Sequence, residues 1–319
     1  MKNSIIYYSV GALLYCPANR KNVAEAIVAG KFGTKYSLAF CLEDTVAEAS
    51  VAEAEEILRD TLATLQSTFE KHDFYLPKIF IRVRSAAQIS HLCKLLGGLT
   101  SLLCGFILPK FSMENADAYL EEFSKVARSD DNPLYIMPIL ESDTMIDLRT
   151  RYDILYGLKD KLAPVESNVL NLRVGGNDLC HAFGFRRHAD ESIHQIRPVA
   201  NLFSDIVTVF GREYIISGPV WEYFAGDLWE TGLKNEIALD LLMGFTGKTV
   251  IHPNQIRVVN ESLMVWEEDY LSAKAILNWD STAASLVSGD PQAKRMNEYN
   301  THKNWAEKIM YLSEYYGVR

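Results

Sequence analysis

The chain has 319 residues, with 32 Lys plus Arg against 41 Asp plus Glu, for a formal charge of −9. This acidic balance, without any run of Lys or Arg, argues against nucleic acid or an anionic membrane as partner and leaves a small-molecule substrate as the expected one. With 48% hydrophobic residues, a chain of this length suits one large α/β domain or two small ones.

The first apolar stretch, Ile5–Cys16, follows Lys2 and looks like a short signal-peptide core. Tyr15 stands where a cleavage site needs a small residue, so the better reading is a buried first strand. No other stretch reaches the roughly 18 apolar residues of a membrane span. Strand and helix signals then alternate. Gly11–Pro17 reads as a strand and Asn22–Gly30 as a helix; Ser37–Asp44 and Val51–Phe69 repeat the pair. Lys78–Arg84 precedes a helix over Ala86–Leu96, and Leu103–Lys110 one over Glu114–Arg128. Leu134–Glu141 leads to a helix over Thr144–Leu158, and Val169–Gly176 to helical pieces between Ile193 and Phe210. Tyr214–Val220 with Leu228–Met243, then Lys248–Pro253 with Ile256–Trp279, complete the series. The five cysteines, at 16, 41, 93, 104 and 180, show neither Cys-x-x-Cys nor metal spacing, which predicts a reduced, cytoplasmic protein.

The strand runs are apolar on both faces, as strands buried between helices and a packed interior must be. Eight strand-then-helix units in about 250 residues predict a (β/α)8 barrel over residues 1–279. The rival, an open doubly wound sheet, usually carries a glycine-rich first turn, and here that turn is Pro17-Ala18-Asn19-Arg20. Beyond it, Asp280–Asn300 is rich in Ser, Ala, Gly and Asp and reads as a linker, followed by a helix through Trp305–Tyr316. Residues 280–319 are therefore expected to form a C-terminal helical extension, packing on a neighbouring subunit.

Active-site groups of such a barrel project from the C-terminal ends of its strands. Those ends hold Asn19 and Arg20, Glu43 and Asp44, Arg82 and Arg84, Lys110, Glu141, Asn177 and Asp178, and His252 and Asn254. Glu141 and Asp178 end consecutive strands, whose axes lie about 4.8 Å apart. Two carboxylates that close can share Mg²⁺, which takes one or two protein carboxylates and leaves positions for water or substrate; the alternative is that Asp178 only starts a helix. Arg82 and Arg84, at alternate positions, are expected to face the same way and meet an anion, or to pair with Glu43 or Asp44. Lys110 reads as electrostatic support more than as a Schiff-base lysine. His252, before a proline, reads as a base, a ligand or a hydrogen-bonded structural residue. Gly175-Gly176 permits a sharp turn or close ligand approach.

The segments Pro17–Arg20, Leu42–Val46, Arg82-Val83-Arg84, Pro138–Glu141 and Gly175–Leu179, and above all Gly247–Ile256, together resemble the HpcH/HpaI aldolase and citrate lyase beta-subunit superfamily, nearest its CitE-like C–C bond lyases. The resemblance runs over roughly residues 11–300. It implies a TIM barrel, Mg²⁺ held by Glu141 and Asp178, an Arg82 that grips a carboxylate, a metal-stabilised enolate and a homo-oligomer, trimeric or hexameric. Glu43, Asp44, Arg20 and Arg84 would orient these groups, with Lys110, Gly175 and Gly176 at the substrate. The chain departs from the family in having Arg84 where Asn is common, no His before residue 72, and Lys294–Glu298 where a Gly-x-Met-x-Asp-like tail supplies a trans-acting acid. Glu298 is the candidate for that acid, and coenzyme A as part of the substrate depends on the same match. Two other readings stand beside the lyase: a thioester hydrolase on the same metal site, and a non-catalytic barrel that binds a metabolite or partner protein.

Overall fold

The computed structural model of the protein describes residues 2–128, 132–280, 282, 285–290, 292 and 294–319. A short helix α1 (Ile5–Tyr8) precedes β1 (Ala12–Pro17), α2 (Val23–Val28), β2 (Tyr36–Cys41) and α3 (Val51–Phe69). β3 (Lys78–Arg82), α4 (Ala87–Leu96), β4 (Leu103–Leu108), α5 (Ala116–Val126), β5 (Tyr135–Leu140) and α6 (Arg151–Leu162) follow. The second half runs β6 (Leu172–Val174), α7 (Gly176–Phe183), α8 (Arg197–Phe210), β7 (Ile216–Ser217), α9 (Trp229–Met243), β8 (Lys248–Val250), α10 (Asn254–Leu263) and α11 (Glu267–Leu277). A hairpin of β9 (Val287–Gly289) and β10 (Met296–Glu298) leads into α12 (Tyr299–Tyr316).

Strands β1 to β8 lie side by side in chain order, all parallel, and β8 returns to pair with β1. A bridge between Gly218 and Lys248 joins β7 to β8, so the eight strands form the expected (β/α)8 barrel. Helices cover it because their apolar residues recur at i, i+3 and i+4: Ala54, Leu58, Leu62 and Leu65 of α3 are buried on one stripe, as are Val199, Phe203, Ile206 and Phe210 of α8. Inside, Leu13, Ala39, Phe80, Ile107, Met137 and Ile139 form an apolar layer, and Ile6 and Tyr7 pack against it. The segment from Ile5 is thus a helical turn before the strand, since Gly11 at φ 60° separates the two. No helix among the described residues is long and apolar enough to cross a membrane.

Several elements are shorter than their patterns predict, each for a local reason. β7 ends at Ser217 because Gly218 is followed by Pro219, which has no N–H to donate. β8 ends at Val250 because the amides of Ile251 and His252 donate to the Gln255 side chain instead of to a neighbouring strand. The helix expected from Thr144 begins at Arg151, whose guanidinium takes the carbonyls of Met145 and Ile146 in the preceding loop. The single helix expected over Ile256–Trp279 is two, broken at Val265, whose N–H donates to the Gly317 carbonyl and whose own carbonyl accepts from the Arg319 amide. Within the expected linker lies the β9–β10 hairpin, and the last helix starts at Tyr299. That helix folds back on its own barrel: α12 lies on α11, and the Tyr316 hydroxyl donates to the Tyr8 carbonyl at 3.0 Å.

Candidate active site

The C-terminal ends of the strands surround a cavity of about 230 Å³, lined by Tyr15, Arg82, Glu141, Arg173, Asp178 and Thr249, with Asp44, Gly175 and Gly176. Glu141 follows the last residue of β5, beyond the registered pairs Ile139–Arg173 and Leu140–Val174, which puts Gly175 across from it. A Cβ on Gly175 would lie 2.2 Å from both Cβ and Oε2 of Glu141. Glycine is therefore required there, because the carboxylate occupies the space a side chain would take. Gly176 is equally constrained, by Ile193 and Pro219. Asp178 is not at a strand end but in the first turn of α7, and no side-chain cap forms at that helix start. Its charge suits the positive end of α7, and it also faces the cavity.

Arg82 and Lys110 tie three carboxylates together. The Arg82 Nη2 lies 2.8 Å from Glu43 Oε2, 3.2 Å from Asp44 Oδ2 and 3.4 Å from Glu141 Oε1. Lys110 Nζ reaches Glu43 Oε1 at 2.5 Å and Asp44 Oδ1 at 3.1 Å, and the Lys110 amide donates to Glu141 Oε1 at 2.9 Å. The last bond needs a backbone φ of 49° at Lys110, in the left-handed region uncommon for a side-chain-bearing residue. Burial would raise the pKa of Asp44, but its contacts with Glu43, Lys110 and Arg82 outweigh it and hold the carboxyl below its ordinary value. Burial would lower that of Lys110, and Glu43 and Asp44 reverse the direction. Glu141 behaves differently. Its burial and the nearby Asp178 charge push its pKa up to about 7, against the pull of Arg82 and the Lys110 amide.

These observations test the pair as metal ligands. The hydrogen bonds from Arg82 and from the Lys110 amide both reach Glu141 Oε1, leaving Oε2 turned to the Gly175 side. Two hard carboxylates share one cavity, and the negative charge of Asp178 makes ionised Glu141 costly, which a divalent cation would relieve. Among the described residues no three His, Cys, Asp or Glu side chains form a metal-holding group. The pair therefore fits Mg²⁺, which accepts as few as one or two protein carboxylates, and not a structural zinc site.

Arg84, Arg20, Glu298 and His252 lie elsewhere. Arg84 does not share the cavity with Arg82, because the strand ends at Arg82 and the Arg84 amide is captured by the Gln88 side chain. Its guanidinium turns to the carbonyls of Leu42, Glu43 and Val46 and to Glu48, bracing the loop that carries Glu43 and Asp44. Arg20 is exposed on the turn three residues past the end of β1, outside the cavity. Glu298 sits on the β9–β10 hairpin, its amide donating to His302 Nδ1, and does not line the cavity of its own chain. His252 stacks on Phe224 at 4.6 Å and its Nδ1 accepts the Asn254 amide, a structural placement.

Tyr15, Arg173 and Thr249 were not among the expected site residues. The signal for Arg173 was present: it is the single charge within the apolar run Val169–Gly176. Tyr15 and Thr249 carry no such signal, being ordinary strand residues.

The substitution Gly175→Ala is expected to push the Glu141 carboxylate from its seat and lower turnover about 10²-fold, the usual cost of an ångström-scale misplacement at a reacting centre. Steady-state kinetics alongside a circular dichroism spectrum would separate this from unfolding.

A family model of C–C bond lyases of the TIM-barrel fold matches residues 4–318. Among curated proteins none matches the chain. Solved structures do. CitE from Mycobacterium tuberculosis, in complex with magnesium, acetoacetate and coenzyme A, is 18% identical with a TM-score of 0.66, over 97% of this chain and 99% of that one. The citrate lyase beta subunit from M. tuberculosis, complexed with oxaloacetate and magnesium, is 20% identical with a TM-score of 0.54, over 81% and 99%. RipC from Yersinia pestis is 17% identical with a TM-score of 0.54, over 80% and 95%. At these identities the likeness carries the fold.

Proposed function

Because the chain belongs to the C–C bond lyases of the TIM-barrel fold, we propose that it cleaves or forms a carbon–carbon bond in a small anionic 2-oxo or 3-hydroxy acid, or its coenzyme A thioester. The observation that supports this reading best is the convergence of Glu141, Asp178 and Arg82 on one cavity at the C-terminal end of the barrel. Glu141 and Asp178 would hold Mg²⁺; the CitE and citrate lyase structures named above are complexes with magnesium. When bound, that ion supplies Lewis-acid polarisation of a substrate carbonyl, lowering the cost of the negative charge that bond cleavage leaves there.

The chain's own residues do the remainder. Arg82 brings a fixed positive charge to the cavity wall for a substrate carboxylate, and Glu43, Asp44 and Glu141 fix its direction. Lys110 offsets one of the two charges of Glu43 and Asp44, which weakens the wall's repulsion of an anion. The first amides of α7, which have no carbonyl partner within the helix, open at Gly176–Asp178 beside the same cavity. A second hollow, which shares Asn177 with the first and includes Arg186, is the place for the larger part of a thioester.

The reading also takes the protein to be a homo-oligomer, trimeric or hexameric, with Glu298 acting as acid across a subunit boundary. Val287 and Met296 stand exposed on the hairpin that carries it, at 48% and 58%.

The deciding experiment is turnover of a panel of oxo acids, hydroxy acids and their CoA esters, with product identification. The expected result is a new carbonyl fragment whose formation stops with EDTA and returns with Mg²⁺. Free CoA without such a fragment would replace the lyase by a thioester hydrolase, and no Mg²⁺-dependent turnover or binding would overturn the reading. Light scattering after gel filtration reports the subunit number independently.

A further inference from the structure

Two guanidinium groups enter the cavity, and their surroundings differ sharply. Arg82 has three carboxylates within 3.4 Å. Arg173, only 1% exposed, has no ion-pair partner among the described residues. It makes one hydrogen bond, Nη2 to Thr249 Oγ1 at 2.5 Å, while its Nε and Nη1 are buried without a partner. Its registered neighbours are Ile139 on β5 and Ser217 on β7, one apolar and one neutral. Burial pulls the Arg173 pKa down, with the Tyr15 hydroxyl opposing. Arginine nonetheless stays charged in proteins, and a buried cation without a counter-charge is costly.

We propose that Arg173 determines the specificity of this cavity by receiving a second anionic group of the substrate, a carboxylate or a phosphate-type group, while the reacting end lies toward Glu141 and Asp178. The proposal rests on the reading of the cavity as the substrate site and adds a charge count to it. Arg82 is already matched by acids of the protein, whereas Arg173 is matched by nothing until an anion arrives. A monoanionic acid would satisfy one end of the cavity and leave Arg173 uncompensated. A dianion of similar length would satisfy both, and guanidinium suits carboxylate and phosphate oxygens equally. Thr249 then acts as a positioning group that holds the guanidinium from β8, while Tyr15 lines the same cavity from β1.

The test uses unreactive acids, so that it does not depend on the lyase chemistry. Binding of succinate, 3-phosphonopropionate and butyrate to the Mg²⁺-loaded protein is measured by calorimetry. The wild type is expected to bind at least one of the two diacids about tenfold more tightly than butyrate, and the better of the two identifies the anion. Arg173→Met should bring that ratio to within about twofold without lowering the melting temperature, since the uncompensated charge is gone. Where that variant does not fold, Arg173→Lys decides: an ammonium cannot form the two-pronged contact, so the preference should fall at least about threefold. A wild type without preference, or a variant that keeps the wild-type ratio, overturns the proposal. Failure of the lyase reading shows separately, as absence of a cleavage product from 2-oxo and 3-hydroxy acids.

Discussion

Glu141→Gln is expected to lower Mg²⁺-dependent turnover about 10³-fold or more while leaving the barrel at least as stable as before. The two halves of that expectation have different causes. The amide preserves the shape of the side chain and can still accept the Lys110 N–H, but it has no charge to offer a cation. For stability, the sign follows from the direction of the shift. The Glu141 carboxyl, ordinarily near 4.5, is pushed up to about 7 by burial and by Asp178. A carboxyl that binds its proton more tightly folded than unfolded opposes folding once it ionises, so the penalty grows from about pH 4.5 to 7 and persists above. Gln removes it. Melting at pH 8 should therefore show no decrease, and Arg82 keeps Glu43 and Asp44 as partners. Asp178→Asn should lose metal binding in the same way. Turnover within about tenfold of wild type in the Glu141 variant would remove the pair from the chemistry.

The contrast between Arg82 and Arg84 shows how far a sequence carries and where it stops. Strand order and the acidic residues at strand ends were readable because both follow from burial: apolar runs mark the strands, and the polar groups that interrupt them must sit where water or ligand can reach. The alternation rule that placed Arg84 beside Arg82 assumes a strand that continues. The strand stops because a helix residue, Gln88, captures the Arg84 amide, and nothing in Arg82-Val83-Arg84 announces that. The break at Val265 is of the same kind. Its partners, Gly317 and Arg319, are more than fifty residues away in the chain, and such pairings have no local signature. Asp178 illustrates a third case: a helix-start residue and a cavity residue were posed as alternatives, and in the fold one residue is both.

Lys248→Met is expected to cost about 3–5 kcal/mol of stability, the range for breaking a buried ion pair by removing one partner. Lys248 lies in the eighth-strand segment whose likeness to the family is strongest, which invites a catalytic reading; its surroundings point to a structural role instead. On the outer side of β8 its Nζ sits 2.7 Å from Glu236 and 2.6 Å from Asp240, with all three side chains at most 3% exposed. Arg187 shares Glu236, and His194 shares Asp240 at 2.7 Å. The acids belong to the buried stripe of α9, spaced four residues apart with Leu233 and Ile237, so the helix presents charge where a barrel helix normally presents hydrocarbon. Methionine would leave two buried carboxylates without their shared cation, Glu236 keeping only Arg187 and Asp240 only His194 beside it. Removing an acid along with the base, in Lys248→Met with Asp240→Leu, keeps Arg187 matched to Glu236 and should recover most of the loss. Urea midpoints of the two variants measure this directly; an unchanged midpoint in the single variant would mean the network holds nothing. The network reaches the cavity through one residue, since Thr249 follows Lys248 and its hydroxyl accepts the one hydrogen bond that the Arg173 guanidinium donates. A loosened β8 should thus weaken discrimination between diacids and monoacids before it changes the position of Glu141, which belongs to the opposite part of the sheet.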